Sequence, residues 1–250
     1  MLAAAATAGV PVPENLAYVP DEGGDVIVTA FTAGETIPRR ILRDERFGRA
    51  RTLLVHQLAA ALARIHDADV GEVDGLPDGD VLAGSRRTLD EIGHPHPAFE
   101  LALRWLDEHR PPAPERPALV HGDFRLGNLI VDRDGLVAVI DWELSHLGDP
   151  MEDLGWLCVP SWRFGSELPA AGVAEREELF DAYAAARGVE VDPEAVAWWE
   201  VCGIFRWGVM CLMQAEAHRS GQLRSHELAA IGRRVCETEH DLFLALEGRW

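Results

Sequence analysis

The chain has 250 residues, 48% of them hydrophobic, and a formal net charge of −19. That length supports one large core or two modest ones, and the acidic balance excludes the arginine and lysine stripes that nucleic-acid phosphates require. All 23 basic residues are arginine, so no Walker A loop is present, because that loop needs its lysine. The net charge is compatible with a cationic substrate or with Mg²⁺. No run of about 18 apolar residues is read as crossing a bilayer. The first basic residue is Arg39, so the apolar start lacks the charged region of a signal peptide. The expectation is a soluble, cytoplasmic protein with no nucleic-acid or membrane partner and an open oligomeric state. Cys158, Cys202, Cys211 and Cys236 form no C-x-x-C pair and are expected to be buried, reduced thiols.

In chain order, residues 2–8 read as the last turns of a helix closed by Gly9. Strands are predicted over 15–19 and 25–31, with a turn at 21–24. Pro38 opens a helix that continues, with a break, to His66, its apolar face formed by Leu53, Leu54, Leu58, Leu62 and Ile65. A Gly/Asp/Pro-rich loop is expected over 67–84, then a helix over 97–109 ended by Pro111-Pro112. Residues 119–141 are β-rich. Helices follow over 174–187, 192–220 and 225–246, the second opened by Asp192 as cap and Pro193 at its first position. A small β-containing front therefore precedes a large helical body.

The chemistry is concentrated in residues 119–143. Asp134-Gly135 is a strong signal for a two-residue hairpin turn, flanked by β-prone Leu129-Ile130-Val131 and 136–140. A turn centred there places Asn128 opposite Asp141, with Cβ atoms about 4.5–5.5 Å apart on one face. Two oxygen donors at that end suit Mg²⁺, which takes few protein ligands and keeps phosphates and waters. His121-x-Asp123-x-x-x-x-Asn128 has the spacing of a kinase catalytic loop, in which the Asp takes the proton of the attacking hydroxyl and the Asn holds metal.

The run His121-Gly122-Asp123-Phe124-Arg125-Leu126-Gly127-Asn128, then Val139-Ile140-Asp141-Trp142-Glu143, then Gly148-Asp149-Pro150-Met151-Glu152-Asp153-Leu154, resembles the aminoglycoside phosphotransferase / choline kinase family. It is most similar to the subgroup related to the phosphotransferase domain of some acyl-CoA dehydrogenases. The resemblance implies an α+β, protein-kinase-like fold. A reduced N-terminal β lobe and hinge would occupy residues 1–34, and a mainly helical C-terminal lobe residues 35–250. It implies ATP (or GTP) as phosphoryl donor and a small molecule with a hydroxyl as acceptor, either a hydroxyacyl-CoA or hydroxy acid or an aminoglycoside-like cation. Asp123 would be the catalytic base, and Asn128 and Asp141 the Mg²⁺ ligands. Arg125 would steady the transferred phosphoryl group. Backbone groups of Ala30, Phe31 and Thr32 would receive the purine.

Relative to the family pattern, the phosphate-covering loop and the lysine-bearing strand are absent from the sequence. A mis-assigned start is the favoured expectation; a reduced chain that binds nucleotide poorly is the other. His121 reads as structural and Asp149 as a helix cap, with Pro150 at the first position and Glu152 at the third. Asp153 is either a brace for the catalytic loop or a surface carboxylate, and Glu143 a metal or substrate contact or a solvated loop residue. Trp198, Trp199 and Trp207 read as a core stripe, with Arg206 and Trp207 as alternative cleft residues. Two rival functions remain: a non-catalytic binding module on a kinase scaffold, and a metal-dependent hydrolase built on His121, Asp123, His146 and Asp149.

Overall fold

A computed structural model describes residues 1–20, 26–71 and 80–249. The predicted turn at 21–24, residue 25 and residues 72–79 of the predicted 67–84 loop lie outside the described residues. The chain begins with α1 (Leu2–Thr7), closed at Gly9, and the antiparallel pair β1 (Asn15–Val19) and β2 (Val26–Thr29). Every residue of this pair is exposed, including Leu16, Tyr18, Ile27 and Val28. The segment after β2 is clipped to the body where Glu35 and Val131 exchange backbone hydrogen bonds of 2.8 and 3.0 Å.

Pro38 opens α2 (Pro38–Arg43). The predicted break falls at Asp44, whose carboxylate accepts from the Arg46 N–H. The chain then resumes as α3 (Gly48–His66). Leu54, Leu58, Leu62 and Ile65 of α3 are fully buried, each burial stabilising by about 1.5–3 kcal/mol. They share a core with Phe124, Leu129, Val139, and Leu179 and Tyr183 of α7 (Arg176–Arg187). Ala5 and Val10 belong to this same core, so the first residues pack on the helical body.

A second core joins α5 (Pro97–Glu108) to α8 (Pro193–Arg219) and α10 (Val235–Leu246) through Phe99, Leu103, Val201, Phe205 and Leu242. Here the structure corrects three expectations. α4 (Val81–Ile92) begins inside the stretch read as loop. Asp80 caps it by accepting from the Ala83 N–H, and Gly93 closes it in a left-handed conformation. The single helix expected over 225–246 is two, α9 (His226–Gly232) and α10, separated at Arg233-Arg234. And α8 is long and apolar enough to cross a membrane by length and composition, although 61% of its most apolar window is buried inside the molecule. Asp192 and Pro193 start α8 as expected, the Asp192 carboxylate accepting from the Glu194 N–H.

Within α8, Glu200 is wholly buried and is held by Arg163 at 2.8 Å and by Arg176 at 2.8 Å. Burial pushes its pKa up, and the two guanidiniums only partly offset that. Three cysteines are buried, but Cys236 is exposed, against expectation.

The remaining strands build the site. β3 (Ala118–Val120) pairs with β6 (His146–Gly148), and β4 (Leu129–Asp132) pairs with β5 (Gly135–Val139). α6 (Met151–Cys158) follows β6 and lies on the seam of the two cores, Leu154 and Leu157 in the first and Trp156 in the second.

Candidate active site

The predicted hairpin exists, but its register differs. Asp132 pairs with Gly135, so the turn residues are Arg133 and Asp134. Asp132 explains this: its carboxylate accepts the N–H groups of Asp134 at 2.8 Å and Gly135 at 3.1 Å, an Asx-type turn. Gly135 sits at φ +120 with its Cα against the Gln57 side chain, leaving no room for a Cβ. Gln57 locks the turn by accepting from Leu136 N–H and donating to the Asp134 carbonyl. The ladder shifts again between Ile130 and Val131. At the open end the Ile140 N–H therefore donates to the Asn128 carbonyl at 3.0 Å. Asn128 stands opposite Ile140, and Asp141 lies one residue beyond, outside the ladder. Asp141 is exposed at φ +68, a conformation Asp tolerates better than most residues.

The loop 121–128 is fixed from behind. Gly122 adopts φ +78, and a Cβ there would collide with the Leu144 carbonyl. The Asp153 carboxylate accepts the N–H groups of His121 at 2.8 Å and Gly122 at 3.0 Å. Of the two readings for Asp153, the structure selects the brace, since it is fully buried. His66 Nε2 donates to Asp153 at 3.1 Å, the Tyr183 hydroxyl meets His66 Nδ1 at 2.6 Å, and Arg187 donates to the Tyr183 oxygen at 2.9 Å. Burial works to raise the Asp153 pKa, but the His66 hydrogen bond and the backbone donors outweigh it, and the carboxyl is held below its ordinary range. His121 is also fully buried. Its Nδ1 accepts from the Asp123 N–H and its Nε2 donates to the Ile140 carbonyl at 3.1 Å. Burial pushes its pKa down, so it is a neutral structural spacer between the loop 121–128 and the hairpin.

Three side-chain N–H groups converge on the Asp123 carboxylate. Arg125 Nε donates to Oδ1 at 3.0 Å, Trp156 Nε1 to Oδ1 at 2.8 Å, and Asn128 Nδ2 to Oδ2 at 2.6 Å. Oδ1 thus has two donors, and Oδ2 keeps a lone-pair direction for an incoming hydroxyl. Because Asn128 spends its amide N–H groups on Asp123, its Oδ1 is the atom left to face a cation. That oxygen and the Asp141 carboxylate are hard oxygen donors of the kind Mg²⁺ takes, and these two residues would hold it.

Asp141 lines a cleft of about 410 Å³ between the hairpin end and the N-terminal pair, with Ile27, Thr29, Ile140 and Glu143 among its walls. The residues expected to meet the purine are adjacent to this wall but do not line it. The Ala30 N–H is committed to the Glu14 carbonyl at 2.8 Å. Phe31 is 94% exposed, and Thr32 is its neighbour.

The hydrolase cluster is not assembled. His146 Nε2 meets Glu152 at 3.1 Å and its Nδ1 faces the Leu144 carbonyl. Asp149 accepts from the Met151 N–H and the Trp199 indole. Among the described residues no three His, Cys, Asp or Glu side chains are grouped to hold a metal ion. The Asp149 carboxylate accepts the Met151 N–H at the start of α6, but the cap position is Pro150 rather than Asp149, and Glu152 does not complete a capping box. It is buried and pairs with His146 and Arg206.

The family profile described as "Phosphotransferase enzyme family" matches residues 1–199. The chain belongs to that phosphotransferase family. Among relatives, acyl-CoA dehydrogenase family member 10 of Mus musculus is 31% identical over 213 residues, covering 76% of this chain and 20% of that protein. This chain therefore spans about a fifth of that relative's length. A choline/ethanolamine kinase family protein of Mesorhizobium loti superposes with a TM-score of 0.67 at 20% identity, covering 98% of this chain and 76% of the other. Spectinomycin phosphotransferase, crystallised with ADP and spectinomycin, gives 0.66 at 13% identity, covering 97% and 80%. At these identities the likeness establishes the kinase-like α+β fold, with a helical C-terminal part. The phosphotransferase segment of the sequence is thus the one around which the site assembles. Trp156, which touches Asp123 directly, carried no signal in the sequence beyond its place on a helix after Asp153.

Proposed function

We propose that this phosphotransferase moves the γ-phosphoryl of ATP (or GTP) onto a hydroxyl of a small anionic molecule, a hydroxy acid or hydroxyacyl-CoA thioester. One observation carries the transfer: the Asp123 carboxylate, oriented by three N–H donors, beside the oxygen donors of Asn128 and Asp141. Asp123 Oδ2 accepts the proton of the acceptor hydroxyl as the new P–O bond forms and the bond from the γ-phosphorus to the departing ADP (or GDP) breaks. Arg125, tied to Asp123 through Nε, has its remaining guanidinium N–H groups to steady the phosphoryl oxygens. When bound, Mg²⁺ on Asn128 and Asp141 supplies charge neutralisation for the phosphates. Phosphoryl transfer asks little more of a protein than this positioning.

A second cleft supports an anionic acceptor. It has a volume of about 640 Å³ and is lined by Pro38, Arg39, Arg43, Ser161, Arg234 and Glu237, among others. It begins one side chain from the catalytic loop, since the Arg125 guanidinium lies 4.9 Å from the Trp162 ring, next to Ser161. Arg234 pairs with Glu237 at 3.0 Å. Among the described residues Arg39 and Arg43 have no ion-pair partner. A surplus of positive charge in a chain of net charge −19 favours an acid over an aminoglycoside-like cation. The test follows ³²P from γ-labelled ATP onto a hydroxyacyl-CoA, a free hydroxy acid and an aminoglycoside. Label is expected on the first or second. The double variant Arg39→Glu/Arg43→Glu is expected to raise acceptor KM about tenfold or more with kcat largely kept, a charge-assisted bond contributing about 1.5–3 kcal/mol. Preference for the aminoglycoside would remove the acceptor assignment.

A second reading, a binding module without transfer, is favoured by the fully exposed apolar β1–β2 pair and the absence of any lysine. It predicts no labelled product from any acceptor.

A further inference from the structure

We propose that Trp156 is the positioning residue for the base Asp123, and that Arg206 holds both Trp156 and the catalytic loop in place. This rests on the phosphotransfer reading above. Trp156 lies on α6, 2% exposed, and its indole N–H reaches Asp123 Oδ1 at 2.8 Å. An indole nitrogen is a donor only, on a rigid ring. It cannot compete with the base for the hydroxyl proton, and it has few rotamers through which to drift. With Arg125 on the same oxygen, the carboxylate plane is set, and Oδ2 is turned toward the reacting atoms.

The indole is itself clamped. The Arg206 guanidinium lies 5.1 Å from its ring centre, and Trp162 packs at 5.2 Å. Arg206 Nη1 also donates to the Gly122 carbonyl at 3.2 Å and pairs with Glu152 Oε1 at 3.1 Å. Glu152 Oε2 meets His146 Nε2 at 3.1 Å, and His146 Nδ1 donates to the Leu144 carbonyl at 2.9 Å. Burial works to lower the His146 pKa, but Glu152 more than offsets it and the net shift is upward. α8 thus reaches the base by two routes, one through the loop backbone at Gly122 and one through the face of Trp156. Neither Arg206 nor Trp156 is itself a proposed metal ligand or lines the acceptor cleft. A loss here is therefore expected in the chemical step rather than in binding.

The experiment uses Trp156→Phe, which keeps an aromatic face under Arg206 and deletes the donor together with part of the indole ring. Mg·ATP turnover is measured with water as acceptor, and Mg·ATP affinity by calorimetry. Turnover is expected to fall about tenfold to a hundredfold, the scale of a misplaced catalytic group, with affinity changed less than about twofold. Arg206→Gln is expected to lower turnover in the same direction and Arg206→Lys to recover part of it. Turnover unchanged in Trp156→Phe, or affinity falling in step with it, overturns the proposal. A second readout needs no activity. In a ¹⁵N spectrum of the tryptophan indoles, the resonance that vanishes in Trp156→Phe is expected to move in Asp123→Ala. If it stays, Trp156 does not position Asp123, whatever the enzyme does. If wild-type protein turns over no Mg·ATP with any acceptor while that resonance does move, the phosphotransfer reading is what has failed, and the catalytic role of Trp156 falls with it.

Discussion

Asp123→Asn is expected to lower kcat for phosphoryl transfer by about 10²–10⁴-fold, the range for removing a positioned general base. The substitution keeps an oxygen for the Arg125 and Trp156 donors on the Oδ1 side. On the other side it sets one amide N–H₂ against another, because Asn128 Nδ2 donates to Asp123 Oδ2 at 2.6 Å. Asn128 must then turn or lose that bond, a cost of about 1–3 kcal/mol for a buried unsatisfied group. Turning Asn128 withdraws its oxygen from the cation side. A smaller weakening of Mg·ATP binding is therefore expected alongside the loss of rate. Single-turnover transfer from labelled ATP, with Mg·ATP affinity measured separately, resolves the two effects. A rate unchanged in Asp123→Asn would remove the mechanism altogether.

Asp153→Ala is expected to destabilise the fold by about 3–5 kcal/mol, because it leaves three buried donors unsatisfied at about 1–3 kcal/mol each. The carboxylate is wholly buried and accepts from His66, His121 and Gly122. Its removal strands three donors in the core and frees the left-handed Gly122, so activity falls with stability. For a chain of this size the loss corresponds to a Tm lower by about 6–20 °C. The carboxyl pKa is depressed in the folded protein, so its stabilisation is fully present above the unfolded value of about 3.9 and is lost as pH falls through the folded one. The stability gap between wild type and Asp153→Ala is thus expected to be widest near neutrality and to narrow below about pH 4. Urea unfolding of both proteins across that range checks it. A gap that stays constant with pH would mean the Asp153 charge is not the source.

Much of the fold was legible because local chemistry and tertiary packing agree. Asp192-Pro193 starts α8 where a cap and a fixed φ demand it, and Leu54, Leu58, Leu62 and Ile65 bury at helical spacing. The misreadings arose where one long-range contact decides a local choice. Asp134-Gly135 is the best turn dipeptide in the segment. Asp132 and Gln57, the latter 79 residues from its partner Leu136, nevertheless fix the turn one residue earlier. α4 was obscured by the Gly and Pro content preceding it, although Asp80 and Gly93 mark its two ends. At the site, Asp123 and Asn128, read from motif spacing, meet on the loop 121–128. The residues that hold them, Trp156, Arg206, His66 and Gln57, come from elements distant in sequence, and no spacing rule connects them.

The central claim is that Asn128 and Asp141 hold a metal–nucleotide complex beside Asp123. Thermal unfolding with and without Mg·ATP, in wild type and in Asp141→Ala, tests it most directly. At about 100 times Kd, binding to the folded state adds about 2.7 kcal/mol, or about 5–10 °C for a chain of this size. That shift is expected in wild type only with Mg²⁺ present, and not in Asp141→Ala. No shift in the folded wild-type protein, or an equal shift in Asp141→Ala, would contradict it.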